Sequence, residues 1–220
     1  CAELNDFVKT LCKKYPTLKN QKPRVILIHS KERLVDRELS PSLSYYAQKI
    51  LKKRGVTLML NNRLKSVTPY EAILESGVKI PSSTVISTVP SSANPLIEKL
   101  PFELDKKKVL TNKELQVLKS KNVWALGDCA ACPNPSGKGF CPPTAQFAIR
   151  QGAVVAKNIY SKYFKTKKEI FKFKELGTMA ALGHHSAVAQ LFGFIKFSGF
   201  FAWLFWRAVY LMKLPGWGRR

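Results

Sequence analysis

Residues 123–152 read VWALGDCAACPNPSGKGFCPPTAQFAIRQG. An apolar run, Val123 to Leu126, stops at Gly127-Asp128. A loop rich in Gly, Pro and Cys follows, and a helix is expected to open near Pro142-Pro143. A buried strand that ends in Gly-Asp and feeds a helix N-terminus offers unpaired backbone N–H groups to a phosphate-rich cofactor.

Upstream of that stretch the periodicity is helical, then extended. Residues 1–15 place Leu4, Phe7, Val8, Leu11 and Cys12 at helical spacing, and Pro16 ends the pattern. The run RVILIHS (24–30) predicts a buried parallel strand. Ser40 and Pro41 cap and start a second helix carrying Leu43, Tyr46, Ala47, Ile50 and Leu51, which stops at Gly55. Val56 to Leu60 predicts the next strand. Helix, strand, helix, strand is half of a doubly wound α/β unit. The period then changes to two. Residues 63–68, 71–75 and 77–80 predict a small antiparallel meander, and Thr84 to Val89 a buried strand closing at Pro90.

Residues 90–122 hold Pro95, Pro101 and Lys106-Lys107-Lys108, and predict a linker with one short strand near Val109. Beyond Gly152 the helix is expected to run to Tyr163, where the basic turn Lys165 to Lys168 breaks it. Ile170 to Lys174 alternates as a strand does. From residue 177 the chain is rich in Gly, Ala and aromatic residues, with three of the four tryptophans.

The chain has 220 residues, enough for one large or two small domains, and 45% are apolar, which excludes a disordered tail. Lys and Arg outnumber Asp and Glu by 37 to 14, a formal charge of +23. Such an excess suits an anionic membrane or nucleic acid, and also a plain soluble basic protein. Nucleic acid is disfavoured because the aromatics cluster in an aliphatic tail while the lysines are spread along the chain. Five cysteines stand at 1, 12, 129, 132 and 141 with no secretory leader before them, so reduced thiols are expected. The first residue is Cys1, inside what reads as a helix, which predicts a fragment or a processed product.

VWALGDCA followed by PPTAQFAIRQG resembles the FAD-binding closing segment of type II (single-subunit, non-pumping) NADH:quinone oxidoreductases. GTMAALGHHSAVA and SGFFAWLFWRAVYLMKLPG are similar to that family's C-terminal membrane-binding region, and AELNDF to the helix after its second glycine-rich loop. The resemblance implies the C-terminal half of such an enzyme. The fold it implies is α/β, a partial two-dinucleotide-binding (Rossmann-like) flavoprotein with an antiparallel β-meander and C-terminal amphipathic membrane helices. It divides the chain into part of the NAD(P)H-binding domain (1–89), the returning FAD segment (90–176) and a membrane-binding region (177–220). FAD is then the cofactor, NADH or NADPH the hydride donor, and a quinone the acceptor. The glycine-rich loops belong to a missing N-terminal half; a homodimer also fits the family.

The resemblance assigns residues. Gly127 and Asp128 correspond to the family's Gly-Asp, whose carboxylate accepts from the FAD ribityl chain; the alternative is a turn or helix-capping Asp. Thr144, Ala145 and Gln146 open the next helix, their amide N–H groups aimed where flavin carbonyl oxygens lie. Such donors stabilise the negative charge that builds as hydride arrives. Gln146 matches the first glutamine of the AQxAxQ quinone-site pattern. Arg150 replaces the second, a departure also suited to donating to a quinone carbonyl, and it points toward the plant and cyanobacterial branch. His29 stands where the family usually carries an acidic residue for the adenosine ribose. With Lys31 and Arg33 nearby, it suggests tolerance of a 2′-phosphate; the alternative is a surface histidine.

Cys129, Cys132 and Cys141 with His184 or His185 have irregular spacing for zinc, and no metal site is expected. Sulfide:quinone oxidoreductase, a sister family, needs two thiols converging on the flavin, and Cys141 is the only good candidate. A non-catalytic half-enzyme binding a partner is a third reading. His184-His185 reads as the polar edge of a helix turn, and Glu175 or a histidine as a proton relay for quinone reduction. Leu191 to Met212 is long enough to span a bilayer, yet Lys196 and Arg207 would each cost roughly 2.5–3.5 kcal/mol at mid-membrane. Eleven residues apart, they fall about 20° from each other on a helix. The segment is therefore expected to lie in the membrane surface, broken at Gly193 and Ser198-Gly199, with Lys213, Arg219 and Arg220 meeting anionic head groups. A peripheral or monotopic protein on a cytoplasmic, matrix or stromal face follows.

Overall fold

The computed structural model describes residues 1–36, 38–88, 94–137, 139–173 and 176–214. Two compact units result: Cys1–Ser87 together with the segment from Leu176 onward, and Thr88–Glu175. The tail expected as a separate region thus packs with the first part of the chain.

In the first unit, α1 (Ala2–Lys14) ends before a 3-10 turn at Pro16–Leu18. Its buried face is not the one predicted: Ala2 and Asn5 are inside, whereas Phe7 is 58% exposed. The reason is what the helix packs on. Ala2 joins Leu34, Leu51 and Val56, and Asn5 Nδ2 donates to the Arg54 carbonyl. Strand β1 (Ile26–Ile28), helix α2 (Pro41–Lys53) and strand β2 (Thr57–Met59) form one βαβ unit, with Ile26 opposite Thr57 in a parallel pair. Ser40 occupies the N-cap, but its side chain makes no capping hydrogen bond, and its amide instead donates to Gln190 Oε1. Strands β3 (Leu64–Val67), β4 (Glu71–Leu74) and β5 (Lys79–Pro81) are the antiparallel meander the alternation predicts. Ala72, Leu74 and Ile80 pack it against Ile26, Ile28 and Met59. Residues 84–88 form no strand, and Val85 and Ile86 are exposed; among the described residues no neighbouring strand offers them a ladder.

The second unit begins with the short helix α3 (Pro95–Glu98). Strands β6 (Leu104–Asp105) and β7 (Lys108–Leu110) form a hairpin turned by Lys106 and Lys107, both at positive φ, and β8 (Ala130–Ala131) pairs in parallel with β7. Residues 94–122 are therefore no linker, and residues 90–93 of that expected stretch lie outside the described residues. Leu115 and Val117 are fully buried, Leu115 in a core with Ala130, Cys132, Cys141, Phe147, Val155 and Phe171. The apolar run 123–126 is not a regular strand either; a single bridge joins Trp124 to Gln116. Helix α4 (Ala145–Phe164) ends at Lys165 in the left-handed conformation. Asn158, fully buried on it, donates to the carbonyls of Glu114 and Glu169 and accepts the Glu169 amide. That tie holds 169–173 as an alternating extended segment with no ladder, in place of the expected strand.

The tail departs most from expectation. Strands β9 (Gly177–Ala181), β10 (Ala187–Leu191) and β11 (Ile195–Gly199) form an antiparallel sheet, and only α5 (Phe200–Met212) is helical. The expected helix from Leu191 fails because Phe192 (φ 51°) and Gly193 (φ 84°) turn the chain back, and Gly199 (φ 81°) breaks it again. Lys196 lies opposite Gln190 on a strand, so it does not share a helix face with Arg207. Leu182 and Val188 dock the sheet on Leu39 and on Leu43 and Ala47 of α2, while Ala202 sits against Ala187 and Ala189.

Candidate functional site

The Gly127-Asp128 turn is a 3-10 turn, Gly127–Cys129, seated on the first turns of α4. Gly127 has φ 69°, where a side chain is strained, and a Cβ there would touch Ala148 Cβ at 3.4 Å. Its amide donates to Gln151 Oε1 at 2.8 Å, and Gln151 is 1% exposed. A buried carboxamide on the inner stripe of α4, in line with Phe147 and Val155, thus clamps the turn. Asp128 is left exposed beside the helix start.

Thr144 is the N-cap of α4 but makes no side-chain cap. Its amide is taken by the Pro142 carbonyl at 2.9 Å, which removes one of the three donors expected for a cofactor. Ala145 stands exposed at the first helical position, where no intrahelical carbonyl reaches its N–H. Gln146 and Arg150 are half-buried, one turn apart. The Arg150 guanidinium donates to the Gln146 carbonyl at 2.9 Å and lies 4.2 Å from the Phe173 ring centroid. Phe173 and Gln151 were not singled out in the sequence. A Gln within the apolar stripe 147, 151, 155 was the available signal for the second.

His29, in the other unit, follows β1. Its ring nitrogen Nε2 is 3.1 Å from the Arg33 carbonyl, and its backbone pairs with Met59 and Asn62. Arg33 Nη1 is buried with no hydrogen-bond partner in the described structure, and Glu32 accepts from Tyr45 Oη.

All five cysteines are free thiols, and the described residues hold no group of three metal-ligating side chains. Cys132 is fully buried, which raises its pKa; burial, then Cys132 beside it, pushes Cys141 up to about 11. Thiols so held are poor nucleophiles at neutral pH, which disfavours sulfide chemistry there. His184 and His185 occupy the turn between β9 and β10, not a helix turn. Their rings are 3.7 Å apart, and His185 meets Trp203 edge-on. The His184 amide donates to Asp6, whose carboxylate pairs with Arg54. Glu175, Arg219 and Arg220 lie outside the described residues.

No helix among the described residues is long and apolar enough to cross a membrane. On α5, Phe201 is 76% exposed and Leu204 49%; Phe194, in the turn before β11, is 74% exposed.

Residues 4–152 match the family described as pyridine nucleotide-disulphide oxidoreductase, and residues 176–220 match the NDH2 C-terminal domain. The chain is 30% identical to a probable NADH dehydrogenase of Dictyostelium discoideum, over 97% of its own length and 47% of that protein's. It is 29% identical to the mitochondrial internal alternative NAD(P)H-ubiquinone oxidoreductase A1 of Arabidopsis thaliana, over 99% and 46%. Its fold superposes on NDH2 from Plasmodium falciparum in complex with NADH with a TM-score of 0.85, at 17% identity, covering 98% of this chain and 59% of that one. The chain spans about half the length of the curated relatives it matches.

Proposed function

The chain belongs to the pyridine nucleotide-disulphide oxidoreductase family, and on that footing we propose that it is part of a type II NAD(P)H:quinone oxidoreductase docked on a membrane surface. The observation that carries this reading is the Gly127 turn clamped by Gln151 to the start of α4, which leaves the Asp128 carboxylate exposed beside a helix start where no intrahelical carbonyl reaches the Ala145 N–H.

These residues fit FAD. A positive-φ glycine lets backbone approach a ligand closely, an exposed carboxylate accepts from hydroxyls, and the Ala145 N–H donates to a carbonyl oxygen. Bound FAD supplies the chemistry of taking a hydride from nicotinamide and passing two electrons to quinone. Asp128 holds the cofactor's hydroxyl-bearing chain. The first turn of α4 presents its positive dipole end to developing negative charge. Arg150 donates to a quinone carbonyl, and the face of Phe173 limits its swing. Arg33, with a buried unpartnered guanidinium nitrogen, and His29 favour acceptance of a 2′-phosphate. The exposed Phe201 and Leu204 seat α5 in the lipid interface, with Arg207 toward anionic head groups.

The test is made on the full-length polypeptide that carries this segment, purified with its flavin. NADH should bleach the flavin's visible band, and a short-chain quinone should restore it. Asp128→Ala should lose flavin retention. Failure of both nicotinamides to bleach the band sinks the proposal. A Michaelis constant for NADPH far above that for NADH sinks the His29–Arg33 part alone.

A further inference from the structure

Between β8 and α4 the chain forms a hairpin whose register is fixed at three successive pairs. Asn134 donates its amide to the Gly139 carbonyl at 2.9 Å, Pro133 bridges Phe140, and Cys141 donates its amide to the Cys132 carbonyl at 2.8 Å. That register sets Cys132 directly opposite Cys141 across the antiparallel hairpin, joined by the one bond from the Cys141 amide. Opposed residues of such a pair have Cα atoms about 5.5 Å apart and side chains on one face. A disulfide needs about 4.4–6.8 Å. Both sulfurs lie in one apolar core with Leu115 and Phe147. Cys129 is excluded as a partner for Cys132, because the two strand residues between them, Ala130 and Ala131, hold their Cα atoms roughly 10 Å apart.

We propose that Cys132 and Cys141 are a dithiol that closes to a disulfide across this hairpin, a redox-modification site that governs the hold of Gln151 on the Gly127 turn. The Cys141 thiol donates to the Pro133 carbonyl at 3.5 Å. The Gln151 side chain, whose Oε1 accepts the Gly127 amide, stands beside that sulfur and draws its pKa down against the burial. Closing a disulfide removes the thiol proton and pulls the sulfur toward Cys132, so the carboxamide beside it is displaced at that end of the clamp.

The oxidant is a small hydroperoxide. The Cys141 thiolate, 8% exposed where Cys132 is sealed, attacks one peroxide oxygen. The O–O bond breaks, water leaves with one thiol proton, and Cys141 becomes a sulfenic acid. The Cys132 sulfur then attacks that sulfur and expels the oxygen as a second water. Two thiols lose two electrons and two protons, and one hydrogen peroxide becomes two waters. Burial holds Cys141 at about 11, so about one thiol in ten thousand is ionised at neutral pH. Its oxidation is therefore slow at neutral pH and should quicken about tenfold per pH unit below that value.

The folded chain is treated with hydrogen peroxide at mildly alkaline pH, quenched in acid and digested with trypsin, which cuts at Lys138 between the two cysteines. Expected is a pair of peptides joined through Cys132 and Cys141, lighter by two hydrogens, absent from C132A and C141A. Amide exchange at Gly127 should be faster in the oxidised protein. Recovery of Cys132 and Cys141 as alkylatable thiols while Cys129 is oxidised overturns the site. A joined pair with unchanged Gly127 exchange overturns the coupling. The wild-type peptide map decides the first point even where a variant does not fold. Neither readout depends on bound flavin, so failure here leaves the proposed activity standing.

Discussion

Arg150 lies over the face of Phe173, its guanidinium carbon 4.2 Å from the ring centroid, while its Nη1 holds the Gln146 carbonyl one helical turn back. Arg150 is thus held by its own helix and by an aromatic platform. Such a cation–π contact contributes about 0.5–1 kcal/mol near a surface. Arg150→Gln should cost about that much in urea denaturation. In the flavin-loaded full-length protein it should change the Michaelis constant for quinone several-fold and leave that for NADH alone. Unchanged quinone kinetics would take Arg150 out of the quinone site.

Gln151→Ala leaves the half-buried Gly127 amide without its partner and empties a buried site, a loss of about 1 kcal/mol or more. Gly127→Ala strains a left-handed position by about 1–2 kcal/mol. Because the two residues share one hydrogen bond, the double variant should cost measurably less than the sum of the single ones. Strict additivity in urea midpoints would mean the clamp does not couple them.

Asp6 gives the protein an acid-sensitive joint. Burial raises its pKa, but the His184 amide and the Arg54 guanidinium outweigh that and hold it below the usual 3.8. On unfolding the carboxyl returns to its ordinary value, so its contribution is complete above about that pH and is lost as pH falls through the lower folded value. Asp6→Asn should flatten the acid limb of stability against pH. An acid limb of unaltered slope speaks against the joint. Gly183→Ala tests it sterically, since a Cβ there would lie 2.6 Å from the Asp6 carboxylate at a φ of 90°.

How much was legible in the sequence follows from where local signals dominate. The βαβ unit was readable from the branched apolar run at 26–28, and the meander from short apolar stretches set off by turn residues at Thr68-Pro69 and Ser76-Gly77. The tail was not. From Leu191 to Met212 nearly every residue is apolar, so periodicity is silent, and the deciding facts are two residues at positive φ, Phe192 and Gly193. Residues 104–117 pair in pieces two or three residues long, too short to show a period. At the site, Gly127, Asp128 and the start of α4 were visible as a motif. Gln151 and the opposition of Cys132 to Cys141 were not, because both depend on which segments meet after folding.

On α5, Phe201 and Leu204 are exposed at neighbouring positions of one face. Seating such a side chain in lipid is worth roughly 1.5–3 kcal/mol. Phe201→Ser and Leu204→Ser should therefore each weaken binding to anionic vesicles about tenfold or more. Raising the salt should weaken the wild type further by screening Arg207 and its basic neighbours. Vesicle binding insensitive to both substitutions would place the contact elsewhere.

The hydrogen bond from the His184 amide to Asp6 joins residues 178 apart in sequence. Everything in the second unit is synthesised between the two halves of the first. During translation the second unit can therefore acquire its core while α1 and α2 still wait for the β9–β11 sheet that covers Leu43 and Ala47. Closing so long a loop is slow compared with local folding. A nascent chain stopped before Leu176 would present that uncovered apolar face to chaperones and to other nascent chains, an aggregation hazard that ends only when β9–β11 emerge.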